Sequence, residues 1–177
     1  MKSEEELSAE EAGGKWGYVG EDGAWVIEPQ FKDAFDFLDG RGWVKDDSGK
    51  WGCIDLSGEW MIEPRFDDVW CWNHDEGITH VRVGAKRGLI NNKEGQWIVE
   101  PRFDDLTWFH GGMALALVDR KWGVIDTSGA WIIKPEWYFV EITDDMRVRA
   151  REGDLDGEWR YFDRTGKEID GATGQRL

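Results

Sequence analysis

Apolar and polar positions recur along the chain with a period of about 35 residues. Each period opens with Lys-Trp-Gly or a variant of it, runs through two apolar residues into a polar turn, and returns as an aromatic-apolar segment. Successive periods are 35 to 37 residues apart and begin at Lys15, Lys50, Lys86, Lys121 and Glu158. Self-similarity at a fixed period of this length is typical of repeat architectures. The pattern predicts four complete units and a truncated fifth.

The first half of each unit has the pattern of a β-hairpin. In three of the full units an Asp or Asn, with a glycine a few residues further on, separates two apolar runs, such as 51–54 and 60–62. Glycine accepts positive φ without steric strain, so this spacing favours a tight turn. A charged residue and a proline follow each return segment, and proline marks a strand end or an edge because it lacks the N–H that a ladder needs. These prolines are Pro29, Pro64, Pro101 and Pro135.

The second half of each unit predicts a buried aromatic residue and a further strand. Two positions after each proline stands an aromatic residue: Phe31, Phe66, Phe103 and Trp137. A loop and an alternating strand, such as 78–83, then lead into the next tripeptide. A packed Trp buries about 150–250 Å², so the recurring Trp and Phe positions predict a continuous aromatic core. No segment beyond the N-terminal residues has a helical period of useful length, and the fold is therefore predicted to be all-β with three to four short strands per unit.

The repeats predict one domain over residues 15–170. An acidic tail or short helix is expected over residues 1–14, and a C-terminal tail over 171–177. We expect the units to stack as an open, twisted, solenoid-like array, because a propeller blade usually needs about 40–45 residues. A small closed propeller or barrel is the alternative architecture.

The unit Lys-Trp-Gly-x-Ile-Asp-x-x-Gly-x-Trp-Ile-Ile-x-Pro-x-Phe-Asp-Asp resembles the WG-repeat (KWG-repeat) proteins, which are common in bacteria. The resemblance extends over about residues 15–170. The chain departs from it at Arg87, which replaces tryptophan, at residues 136–138, and in a last unit without proline. The resemblance implies a β-rich repeat module that serves in binding or as a scaffold, and it implies no shared catalytic residues.

The composition excludes several classes of protein. A formal net charge of −15 excludes a generic nucleic-acid binder, because neutralising phosphates needs a basic surface, and it disfavours docking on anionic membranes. Aromatic residues make up 14% of the chain, with 13 tryptophans, which is too many for a disordered segment. No apolar stretch reaches the about 20 residues of a membrane span, no signal-peptide core is present, and the only cysteines are Cys53 and Cys71. We therefore expect a cytoplasmic protein.

Candidate catalytic groups are few. Carboxylates such as Glu63 and Asp68 recur at equivalent positions of other units, which favours strand ends and turns over an acid–base pair. Among candidate catalytic groups only the histidines and Arg87 break the repeat, and a site built from His74, Asp75 and His110 lacks recognised metal-ligand spacing. Nucleophile elbows, phosphate-binding glycine loops and metal-binding cysteine pairs are absent from the sequence. We expect a protein without catalytic activity, cofactor or metal.

The leading hypothesis is a non-enzymatic protein-interaction module. An acidic surface steers a basic protein partner, and a sharper version is an immunity or inhibitor protein that neutralises a basic bacterial toxin. The loops that break the repeat would line one edge of the stack. The predicted partner-binding residues are Asp36, Asp39, His74, Asp75, Glu76, His110, Asp144 and Asp145.

Two other features carry alternative hypotheses. A carbohydrate or small-ligand binding module would use exposed tryptophans that the repeat does not place uniformly. These are Trp70, Trp72 and Trp108. The alternating arginines Arg147, Arg149 and Arg151 predict a solvent-facing edge strand, with a basic spot for an acidic partner as the alternative. We expect Arg87 either to occupy an edge position or to pack the aliphatic part of its side chain over neighbouring aromatic rings.

Overall fold

The computed structural model describes residues 7–70, 77–153 and 157–177. Every regular element among these residues is a β-strand, and the strands form five separate antiparallel sheets in chain order. The first sheet contains β1 (Ser8–Ala12), β2 (Lys15–Val19) and β3 (Trp25–Phe31). The second contains β4 (Asp33–Ala34), β5 (Arg41–Lys45), β6 (Trp51–Asp55) and β7 (Trp60–Phe66).

The remaining three sheets repeat the four-stranded plan. The third contains β8 (Asp68–Trp70), β9 (Ile78–Val83), β10 (Lys86–Asn91) and β11 (Trp97–Phe103). The fourth contains β12 (Asp105–Leu106), β13 (Met113–Val118), β14 (Lys121–Asp126) and β15 (Trp131–Trp137). The fifth contains β16 (Phe139–Ile142), β17 (Val148–Arg151), β18 (Arg160–Phe162) and β19 (Glu168–Ile169). The sheets stack as an open, solenoid-like array, and no barrel closes within the described residues.

The structural unit is offset from the sequence period. The strand that precedes each Lys-Trp-Gly pairs with it in the same sheet, as β5 pairs with β6 through Val44 and Gly52. One sheet therefore spans about residues 33–66, whereas the sequence period begins at Lys50. This offset follows from the short hairpin loop at 46–50, which brings the two strands together before the return strand forms.

The N-terminal residues correct the predicted tail or short helix. Residues 8–12 form β1, which pairs antiparallel with β2 through Glu10 and Gly17. Leu7 is buried in the same cluster as Tyr18 and Ile27. β1 thus takes the place in the first sheet that the strand before Lys-Trp-Gly takes in the other sheets. At the other end, residues 171–177 fold back, and Arg176 forms a β-bridge with Ile169.

The outer strands continue past their prolines. β7 runs through Pro64 to Phe66, where the register moves from Cys53–Ile62 to Trp51–Phe66. Four residues of β7 therefore oppose two of β6, which is a β-bulge. Proline is tolerated because β7 is the last strand of its sheet and its missing N–H leaves no ladder bond unmade. The prolines thus mark edge strands and not strand ends.

The glycine of each Lys-Trp-Gly faces this bulge. A Cβ on Gly52 would lie 2.7 Å from the Ile62 carbonyl oxygen and 2.9 Å from the Pro64 nitrogen. Gly17, Gly88 and Gly123 meet equivalent backbone atoms at 2.5–2.9 Å. Only glycine leaves room for so close a backbone approach. The repeated glycine and the repeated proline are therefore parts of one local structure.

The predicted Asx–Gly turns are present. The Oδ1 atom of Asp126 accepts hydrogen bonds from the Ser128 hydroxyl at 2.6 Å and from the backbone N–H groups of Ser128 and Ala130. Asp55 and Asp163 close their turns in the same way. The Ser128 hydroxyl and these N–H groups lower the pKa of Asp126 below its ordinary value. The Asp126 side chain is therefore ionised when it stabilises the hairpin.

Acid unfolding tests this turn. Because the folded pKa of Asp126 lies below the unfolded value of about 3.9, its stabilisation is present above pH 4 and is lost as the pH falls through the folded pKa. We expect Asp126→Ala to lower the free energy of unfolding by about 1 kcal/mol near neutral pH and to flatten the acid decline. Ser128→Ala, which keeps the backbone bonds, should cost less. Urea unfolding at several pH values measures both, and an acid decline in Asp126→Ala as steep as in the wild type would contradict the assignment.

Neighbouring sheets are joined by an edge-to-face ladder of aromatic rings. Phe31 meets Trp60, Phe66 meets Trp97 and Phe103 meets Trp131, with ring centroids 5.7–6.0 Å apart. The predicted aromatic core is confirmed at the phenylalanines, which are buried. The return-strand tryptophans deviate from it, since Trp60 and Trp97 stay more than one-third exposed. They cap the phenylalanine of the preceding unit at the surface, where edge-to-face geometry still contributes.

Candidate interaction surface

Antiparallel order gives the stack two chemically different ends. In each four-stranded sheet, the loops after the first and third strands lie at one end and the loop after the second strand lies at the other. We name the first the acidic end; its loops are 20–24, 35–40, 56–59, 92–96, 107–112, 127–130, 143–147 and 163–167. The second is the lysine end, with the loops 13–14, 46–50, 84–85 and 119–120.

The charges of the lysine end are matched. The Lys50 ammonium lies 2.6 Å from an Asp67 carboxylate oxygen, and Lys86 lies 2.5 Å from Asp104. Lys15 contacts Asp47. Each of the first two pairs joins the repeated lysine to the residue that follows the buried aromatic of the same unit. Sequence reasoning missed this pairing, although the constant spacing of the two positions was a signal that could have revealed it.

Asp145 and Asp163 of the acidic end pair with arginines, but five other carboxylates in or next to its loops are not matched in this way. Asp22, Asp36 and Asp144 are exposed, Asp55 and Asp126 are half-buried, and none of them has an ion-pair partner among the residues that the structure describes. Four of the five accept backbone N–H bonds that close turns or fasten a strand. Their negative charge is therefore available to a partner.

The predicted binding residues Asp36 and Asp39 lie in the same loop of the acidic end. Asp36 accepts a hydrogen bond from the Ala9 N–H at 2.9 Å and so anchors β1. Asp39 is exposed, with a φ of 52° that short polar residues tolerate. Asp36 therefore lies at the surface as predicted, and it also holds β1 in place through this hydrogen bond.

His110, Asp144 and Asp145 lie in two adjoining loops. The Arg164 guanidinium donates to the Gly111 carbonyl at 2.8 Å, which ties the His110 loop to the fifth sheet. Asp145 accepts hydrogen bonds from the Thr143 hydroxyl and from the Arg147 Nε, and these bonds lower its pKa. The charge of Asp145 is balanced locally, whereas Asp144 is exposed and has no such partner in the part of the chain that the structure describes. The predicted residues His74, Asp75 and Glu76 lie outside the described residues.

Of the candidate stacking tryptophans, Trp70 is covered and Trp108 is open. The Arg87 guanidinium lies 4.6 Å from the Trp70 ring centroid and forms an ion pair with Asp105. The expected packing of Arg87 over an aromatic ring is confirmed. Trp108 is 40% exposed and lies against the His80 ring, with centroids 4.9 Å apart. Trp72 lies outside the described residues.

The buried His80 makes folding sensitive to pH. Burial lowers the pKa of His80 to about 4, with a smaller contribution from the charge of Arg87. Since the unfolded pKa is about 6.5, the unfolded chain binds a proton first, and stability falls as the pH drops from 6.5 towards 4. We expect a slope of at most about 1.4 kcal/mol per pH unit from this group, and His80→Gln should remove it. Chemical denaturation between pH 7 and 4 measures the slope; an unchanged slope in His80→Gln would contradict the prediction.

The prediction that Arg147, Arg149 and Arg151 lie on an edge strand is wrong. β17 lies inside its sheet, between β16 and β18. Arg149 donates to Glu141 on the neighbouring strand at 2.6 and 2.9 Å, and Arg147 pairs with Asp145. Arg151 is buried, with its guanidinium 4.4 Å from the Phe139 ring centroid. Alternation placed the arginines on one face, but cross-strand carboxylates and rings cover that face.

The described part of the chain contains neither a candidate metal site nor a candidate membrane-spanning helix. No group of three or more His, Cys, Asp or Glu side chains there is arranged to hold a metal ion. The same residues contain no helix with the length and apolar character needed to cross a membrane.

The repeat architecture defines the class of protein. The family model of the WG containing repeat matches residues 16–51, 51–86, 88–122 and 122–146. The chain therefore belongs to the WG-repeat family, a family of β-rich repeat modules. No curated protein matches the chain.

Solved structures are similar to the chain at low sequence identity. A crystal structure of a eukaryotic initiation factor superimposes with a TM-score of 0.52 at 9% identity, over 96% of this chain and 52% of the other. BamB from Moraxella catarrhalis gives 0.45 at 13% identity, over 89% and 57%. The WD40 β-propeller domain of Doa1 gives 0.38 at 11% identity, over 93% and 63%. The chain spans about half the length of the initiation factor, and the likeness to it concerns the fold alone.

Proposed function

We propose that the protein is a non-catalytic interaction module whose acidic end binds a basic protein. The supporting observation is the difference between the two ends: the repeated lysines of one end have partners, whereas exposed carboxylates such as Asp22 and Asp144 at the other have none among the described residues. A rigid stack of sheets holds these carboxylates in place, so little entropy is lost on binding.

The net charge supports a basic partner. At −15 the chain attracts cationic proteins over distances set by ionic strength, which raises the association rate. The sharper form of the proposal is an inhibitor or immunity protein that covers the basic surface of a bacterial toxin. An inhibitor of this kind acts in the cytoplasm and needs no catalytic group.

Capture from the native source tests the proposal. We expect the tagged protein to retain a basic protein at low salt and to release it at high salt, as identified by mass spectrometry. The double variant Asp22→Lys/Asp144→Lys should lose this capture. The matched control Glu28→Lys/Glu63→Lys makes the same change in charge on the outer strands β3 and β7, where both glutamates are exposed, and should keep more of it. Equal capture by both double variants, or no basic protein at either salt, would overturn the proposal.

A second candidate function, carbohydrate binding, rests on Trp108. Its indole is 40% exposed and is backed by His80, which is the arrangement of a stacking platform for a sugar face. Titration with glycans should change the tryptophan fluorescence of the wild type and not that of Trp108→Ala. A response that persists in Trp108→Ala would exclude this ring as the platform.

A further inference from the structure

A cavity opens between the first three sheets. Its volume is about 460 Å³, within the about 300–1,000 Å³ that is typical of small-molecule sites. Trp16 of the first sheet and Phe35, Phe37 and Trp43 of the second supply aromatic walls, and Arg41 and Asn92 supply polar groups. Residues from three different sheets thus surround one space.

Neighbouring aromatic residues fix the position of the cavity's aromatic walls. The Tyr18 hydroxyl donates to the Phe35 carbonyl at 2.8 Å, and the Tyr18 ring meets Phe37 edge-on with centroids 4.6 Å apart. Phe35 stacks on Trp51 with the rings 7° from parallel. These contacts hold the rings in position before any ligand arrives, which reduces the entropy lost on binding.

Arg41 has no anionic partner among the described residues. Its Nη1 donates to the backbone and side-chain oxygens of Asn92 at 3.2 and 3.4 Å, which orients the guanidinium. Within the described residues it has no carboxylate partner, and its buried Nε has no hydrogen-bond acceptor. By contrast, Arg149 and Arg160 each meet a glutamate. Arg41 thus lines the cavity without an anionic partner among the described residues, and an anionic group in the cavity would supply one.

A carboxylate is the group that fits the Arg41 guanidinium. Guanidinium N–H groups donate strong, charge-assisted hydrogen bonds to carboxylate oxygens. The aromatic walls beside Arg41 favour a flat apolar body. We propose that the cavity binds a small molecule that combines a carboxylate with an aromatic ring, with the carboxylate on Arg41 and the ring among Trp16, Phe35 and Trp43.

Paired probes test the proposal on the whole chain. We expect 3-phenylpropionate to bind in isothermal titration calorimetry at least about tenfold more tightly than 3-phenylpropan-1-ol, which has the same ring and no charge. Arg41→Gln should weaken the acid by about 10- to 100-fold and leave the alcohol unchanged. The control Arg82→Gln removes an arginine that pairs with Asp68 outside the cavity and should bind both probes as the wild type does.

Binding of phenylalanine tells whether the ligand is an aromatic amino acid or a plain aromatic acid. Asp36 also lines the cavity, and its carboxylate would attract the ammonium of an amino acid. Tighter binding of phenylalanine than of 3-phenylpropionate, lost in Asp36→Asn, would identify an amino acid; weaker binding would identify a plain aromatic acid. Equal binding of acid and alcohol by the wild type, or no binding of either, would overturn the proposal without reliance on any variant.

Discussion

Gly52→Ala is expected to lower the free energy of unfolding by about 3 kcal/mol, at the upper end for overpacked sites. The new Cβ would stand 2.7 Å from the Ile62 carbonyl oxygen and 2.9 Å from the Pro64 nitrogen. Both atoms belong to the backbone of the β7 bulge and cannot move aside as a flexible side chain would. The strain therefore falls on the pairing of β6 with β7.

Gly20→Ala is the matched control. An added Cβ at Gly20 would meet the Asp22 and Val26 side chains at 3.5 and 3.6 Å, which is ordinary contact distance. We expect a change within about 0.5 kcal/mol, as at most surface positions. Urea unfolding of both variants at one pH measures the difference. Similar losses in the two variants would show that the bulge is not the reason for glycine in the repeat.

Phe66→Ala is expected to cost about 3–5 kcal/mol, the usual range for removing a buried aromatic side chain. Phe66 is fully buried and lies between Trp43 of its own sheet and Trp97 of the next, at 6.3 and 5.8 Å between ring centroids. Its removal leaves a cavity in the second sheet and breaks one step of the aromatic ladder. Both the sheet and its junction with the third sheet lose stability.

Met61→Ala on the same strand is the control for Phe66→Ala. Met61 is 40% exposed, so its truncation should cost less than about 1 kcal/mol. A double-mutant cycle between Phe66 and Trp97 isolates the contact between sheets, for which we expect a coupling of about 0.5–1.5 kcal/mol. Equal costs for Phe66→Ala and Met61→Ala would contradict the assignment of Phe66 to the core.

The interaction proposals follow from the places where the repeat is regular and where it is not. Lysine and the residue after the buried aromatic recur at a constant spacing, so their ion pairs recur at the lysine end. The acidic-end loops that follow the first strand of each sheet differ from unit to unit, and they carry Asp36, Trp108 and the cavity residues Phe35 and Phe37. Specific recognition by repeat proteins needs such variable positions on a constant scaffold.

Features that depend on residues close together in the chain could be predicted. The period, the all-β fold, the hairpins and the Asx–Gly turns follow from local patterns. A turn such as 126–130 is closed by a side chain four residues from its far end. The recurring phenylalanine was correctly assigned to the core, because an apolar ring at the same position of every unit needs a buried environment.

Features that depend on distant residues or on backbone packing could not be predicted from the sequence. The burial of Leu7 beside β1, the bulge that carries each strand past its proline, and the interior position of β17 depend on which strand lies next to which. Arg41 and Asn92 are 51 residues apart and meet only when three sheets stack.

The sequence by itself thus determined the repeat, its hairpins and its aromatic core, since a short-range pattern repeated in every unit specifies the same local structure each time. Only the tertiary structure decided which charges find partners and where a cavity opens. Those properties depend on distances between side chains of different units, and no spacing along the chain encodes them.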